Sequence, residues 1–108
     1  MDQDTALVAV RFFRERLREH GVQVSRLVLF GSHATGAAGD ESDLDILVVS
    51  EDFRGLNIFE RSELLGDAEV DTIRRFRVPL DVIFMTPEEY ENEASLLAQA
   101  ARSGGIEG

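Results

Sequence analysis

Residues 30–50, FGSHATGAAGDESDLDILVVS, decide how this chain folds. Leu44 to Val49 is an apolar run with the length and β-branched character of a buried strand. Asp45 sits inside that run and Asp43 two residues from it. Side chains two apart on a strand share a face, so both carboxylates point the same way. Burying an unpaired charge is costly, and two like charges on one face add repulsion. A divalent cation is the candidate that offsets the cost. Ahead of the strand, Gly31 to Ser42 is small, polar and glycine-bearing, a loop with room for a short helix.

On the N-terminal side, Val24 to Phe30 reads as a strand. Asp4 to His20 places Leu7, Val10, Phe13 (or Phe12) and Leu17 at helical spacing, with Gly21 as the left-handed residue that ends the helix. Phe12 and Phe13 cannot both face one core, and an exposed one would mark a protein interface. On the C-terminal side, Asn57 to Phe76 has a loose helical pattern with Gly66 as a point of interruption. Leu80 to Met85, LDVIFM, reads as a third strand. Thr86-Pro87-Glu88-Glu89 is a helix start: Thr as N-cap, Pro at the first helical position, Glu89 closing a capping box. That helix is expected to run to about Arg102, leaving residues 103–108 as a frayed tail.

The order is therefore α-β-(α)-β-α-β-α, a mixed α/β fold. Twelve residues, Gly31 to Ser42, join the first two strands. An antiparallel pair puts Gly31-Ser32 beside Asp43 and Asp45. The helical crossover between the second and third strands favours a parallel, right-handed connection, with Asp81 level with the start of the second strand. Asp43, Asp45 and Asp81 converging without His or Cys make a hard, oxygen-rich site. It suits magnesium, or manganese, rather than zinc. Two such ions about 4 Å apart stabilise the attacking and leaving oxygens of an in-line phosphoryl displacement. Gly31 admits a phosphate close to the backbone, and Ser32 adds a hydroxyl and an N–H. His33 either contacts the phosphates or is a solvated loop residue. Asp81 taken alone also fits a salt bridge to Arg75 or Arg77. Tyr90 reads as packing.

The whole chain bounds these readings. At 108 residues, 44% hydrophobic and 30% charged, one soluble domain is expected. No cysteine means no disulfide, zinc-thiolate site or Cys nucleophile. The acidic N-terminus lacks the basic region of a signal peptide and no apolar run is long enough to span a membrane, so a cytoplasmic location is the default expectation. The net charge is -10, from 21 acidic side chains against 11 arginines. Such a surface repels a phosphate backbone, and nucleic acid is not the leading partner.

LFGS, ten residues, DLDI, and later LDVIF resemble the hG(G/S)…DhDh…hDh signature of the DNA polymerase β-like nucleotidyltransferases. The resemblance is strongest to the minimal, MNT-type members that accompany HEPN-domain toxins, and it covers about residues 6–90. It implies the polymerase β-like core, a mixed three-stranded sheet flanked by helices, as a minimal nucleotidyltransferase domain over 1–102 with a flexible tail over 103–108. It implies metal on Asp43 and Asp45, with Asp81 ligating the catalytic metal and acting as base on the acceptor. Gly31 and Ser32, with His33 beside them, would hold the triphosphate of ATP or another NTP. Thr35 stands where many minimal members carry an Arg. The implied reaction is magnesium-dependent transfer of a nucleoside monophosphate, AMP, to a hydroxyl. The acceptor would be a tyrosine of a HEPN-type toxin, making this chain the antitoxin of the pair. Two other readings remain open: an antitoxin or regulatory subunit that masks its partner without chemistry, and a small-molecule nucleotidyltransferase.

Overall fold

The computed structural model describes residues 1–36, 43–92, 99 and 105–108. The first helix, α1 (Gln3–Glu19), opens where the Asp2 carboxylate accepts the Thr5 N–H at 2.7 Å and closes with Arg16 and Arg18 in its last turn. Both ends complement the helix dipole. Its inner face buries Ala6, Ala9, Val10, Phe13 and Leu17. Gly21 then turns the chain at φ 85°. There follow β1 (Arg26–Phe30), α2 (Ser32–Thr35), β2 (Leu44–Val49), a 3-10 turn at Glu51–Phe53, α3 (Ile58–Phe76), β3 (Leu80–Met85), α4 (Pro87–Glu91) and β4 (Ile106–Glu107).

The strands form one mixed sheet in the order β3-β2-β1-β4. β1 pairs antiparallel with β2 and with β4, and β2 pairs parallel with β3 across the α3 crossover. Alternation along β2 builds two cores. Leu44, Ile46 and Val48 join Leu27, Leu29 and the buried residues of α1 and α3, while Leu47 and Val49 join Val28, Met85 and Tyr90 on the other face. A central strand covered on both sides should be apolar throughout, and β2 is, except at Asp45.

Helix starts follow their capping residues. Asn57 and Glu60 form a capping box on α3, and Thr86 and Glu89 form another on α4, with Pro87 in its first turn. Both helices abut β3. Arg61 ties them to it, donating to the Phe84 carbonyl at 3.4 Å and to Glu89 at 2.8 Å.

Several expectations need correcting. The sheet has four strands, not three, because Ile106–Glu107 of the expected frayed tail add to the β1 edge. Packing the half-buried Ile106 against the core and satisfying the β1 edge outweigh the entropy of a Gly-rich end. α3 runs unbroken through Gly66, since an isolated glycine costs a packed helix only about 1 kcal/mol. Phe12 is not left as an exposed ring; it packs edge-on to Phe76, centroids 5.4 Å apart, while Phe13 enters the core. The continuation of α4 towards Arg102 lies outside the described residues.

Candidate active site

Strand register brings the carboxylates to one place. Asp45 pairs with Phe30 of β1 on one side and with Asp81 of β3 on the other. Neighbours in register share a face, so Asp45 and Asp81 project together. Asp43 immediately precedes β2 and is exposed, as is Asp81; Asp45 is half-buried.

Gly31 follows β1 at φ 73°, a left-handed conformation that favours glycine. A Cβ at this position would overlap Asp45 Oδ2 and come within 3.1 Å of its Cγ. The Gly31 backbone thus lies directly against the Asp45 carboxyl. α2 begins at once: the Gly31 carbonyl accepts the N–H groups of Ala34 and Thr35 at 3.1 and 3.2 Å. Thr35 Oγ1 donates back to the Ser32 carbonyl at 3.3 Å, and Gly36, at φ 80°, ends the turn. Gln3 Nε2 donates to the Ala34 carbonyl at 2.9 Å, fastening α2 to the start of α1. Nothing in the local sequence signalled Gln3, because its partner is a backbone atom 31 positions away.

The electrostatics bear the mark of this crowding. Burial, then the charges of Asp81 and Asp43, then a hydrogen bond with the Asp81 carboxyl push the Asp45 carboxyl above its ordinary value, and His33 opposes the shift. Two carboxyls share a hydrogen bond only when a proton lies between them, so the pair is short of positive charge. His33 is 3% exposed, which corrects its reading as a solvated loop residue: the turn of α2 tucks it and Ala34 inward. No described ion pair joins Asp81 to Arg75 or Arg77. Arg75 instead lies over the Phe76 ring at 5.4 Å. Tyr90 is packing, as expected: buried, under the Arg26 guanidinium and accepting from it at 3.2 Å.

Among the described residues, no three acidic or imidazole side chains stand close enough to form a closed metal site. Asp45 and Asp81 are held together by register, while Asp43, exposed and ahead of the strand, has no strand partner. That arrangement still fits magnesium, which takes one or two carboxylates and completes its shell with waters and substrate phosphates. No helix among the described residues is long and apolar enough to cross a membrane.

Comparisons with known proteins bear on the fold and the family. A sequence relative from Methanocaldococcus jannaschii, named "putative protein adenylyltransferase", is 28% identical over 78 residues, 72% of this chain. The match spans about half, 52%, of that relative's length. Among solved structures, one from Sulfolobus solfataricus named "putative nucleotidyltransferase" superposes with a TM-score of 0.68 at 23% identity, covering 97% of this chain and 80% of that one. Another, named "putative minimal nucleotidyltransferase", superposes at 0.62 and 24% identity, covering 98% and 95%. A toxin–antitoxin structure with AMP-PNP gives 0.62 at 21% identity, covering 88% and 68%. These structural likenesses establish the fold. The nucleotidyltransferase domain model matches residues 10–102, nearly the whole chain, and with it this chain belongs to the nucleotidyltransferase domain family.

Proposed function

We propose that the chain transfers AMP from magnesium-bound ATP to a hydroxyl of a partner protein, a tyrosine of a HEPN-type toxin, and so acts as an antitoxin. The observation that carries this reading is the Asp45–Asp81 register pair with the Gly31 backbone packed against it. Asp45 and Asp81, with Asp43, would hold magnesium, whose charge would offset that developing on the α-phosphate and on the leaving pyrophosphate. The Gly31 backbone and the Ser32 hydroxyl and N–H face the phosphates. Asp81, the more exposed of the register pair, is open to an acceptor hydroxyl and takes its proton as the oxygen attacks. The α-phosphorus bond to the acceptor oxygen forms as the bond to the pyrophosphate oxygen breaks. His33, buried and close enough for its charge to favour the Asp45 carboxylate, would act on the site through Asp45. The protein-adenylyltransferase name of the archaeal relative and the nucleotide in the toxin–antitoxin neighbour support a protein acceptor and an adenine nucleotide.

The test incubates the chain, magnesium and a HEPN-type candidate partner with ATP labelled on the α or the γ phosphate. Label from α alone on the partner, lost with Asp45→Asn, is the expected result. Label from γ alone would mean phosphoryl transfer and overturn the reaction. A tight complex without label, with the partner silenced equally by Asp45→Asn, would favour masking.

A further inference from the structure

α3 has a buried side and a second, unpartnered apolar side. Leu65, Ala68 and Thr72 face the core. Phe59, Gly66, Val70 and Ile73, spaced by seven, four and three, fall along a different line of the same helix. Phe59 is 77% exposed, Val70 45% and Ile73 38%. Of the six large apolar side chains that are exposed among the described residues, three, Phe59, Val70 and Ile73, fall on this line, while Ile58 and Leu64 of the same helix lie off it. Scattered exposed apolar residues are ordinary, but this concentration on one helix is not.

Gly66 sharpens the case. A Cβ added there meets nothing within 4 Å, and its φ is not in the left-handed region, so the fold has no use for the glycine. An interior helical glycine is nonetheless unfavourable. What it provides is a notch in the middle of the apolar line, where another helix can approach the α3 backbone closely.

Charge selects the occupant. Glu63, Asp67 and Glu69 flank the line and outnumber the one arginine beside it, Arg74, and none of the three makes an ion pair among the described residues. Glu69 is half-buried, and burial alone raises its pKa. A second copy of this chain, itself at -10, would bring a like excess of negative charge against this face. We infer that the Phe59–Gly66–Val70–Ile73 face of α3 docks a cationic amphipathic helix of a partner protein. The partner's apolar ridge covers the line, a small side chain enters at Gly66, and its Arg or Lys residues meet Glu63, Asp67 and Glu69. The docking face stands independently of the transferase chemistry.

A helical-peptide display library selected on the intact chain tests this. The expected winners carry apolar residues at i, i+3 or i+4, and i+7 with a net positive charge, and their affinity falls with added salt. Phe59→Ser and Val70→Ser each weaken them by about tenfold or more. Gly66→Ala weakens them as well while raising the Tm by about 4 °C, a combination that a folding defect cannot produce. Asp45→Asn binds them unchanged. Neutral or acidic winners, winners that bind all three face variants as tightly as the parent, or a homodimer that Phe59→Ser dissolves would overturn the proposal.

Discussion

At Gly31, backbone conformation and chemistry meet in one residue. Its positive φ and its contact with Asp45 Oδ2 each exclude a Cβ. Gly31→Ala should therefore cost roughly 1–3 kcal/mol in denaturant unfolding and abolish transfer, because the displaced atom is the Asp45 carboxylate itself. Asp45→Asn separates the two effects. Its neutral amide removes the repulsion with Asp81 and Asp43, so the Tm should rise while transfer falls by about 100-fold or more. A drop in Tm would show that the carboxylate is satisfied within the fold. Glu69 supplies a pH signature. Its pKa is raised by burial, so the folded chain holds this proton more tightly than the unfolded one. That contribution to stability is full at low pH and is lost as pH rises through the raised pKa. Glu69→Gln should consequently stabilise the chain at neutral pH and flatten this part of the pH profile of Tm, while matching the parent in acid.

Secondary-structure elements were legible in proportion to how local their causes are. Leu80–Met85, the Thr86 capping box and the turn at Gly21 follow from adjacent residues, and the structure has all three. The Asn57–Glu60 box carries the same kind of signature, and Asn57→Ala should cost about 1 kcal/mol in thermal or chemical unfolding. Asp45 and Asp81 could be brought together from sequence because strand period and a helical crossover fix their register. His33 and Ile106 could not be placed that way. The burial of His33 depends on how α2 folds against the sheet and on Gln3 of a distant helix, and Ile106 depends on an open β1 edge. Neither is written in neighbouring residues. Removing residues 105–108 should expose that edge and lower stability by about 1–2 kcal/mol, measured by urea unfolding.

For the molecule as a whole, the excess of negative charge poses the central physical problem. A chain at -10, with three aspartates near one end of its sheet, has to bind a triphosphate. The carboxylates repel that anion until a divalent cation lies between them, so nucleotide affinity and metal affinity should be coupled. The most direct measurement is a calorimetric titration of AMP-PNP into the chain with and without magnesium, repeated with Asp45→Asn. The expected result is binding that requires magnesium and is lost in the variant, even though the variant is folded and as stable as the parent or more so. Equal affinity with and without the metal, or undiminished affinity in Asp45→Asn, would contradict the assignment of the Asp45–Asp81 pair as the nucleotide site.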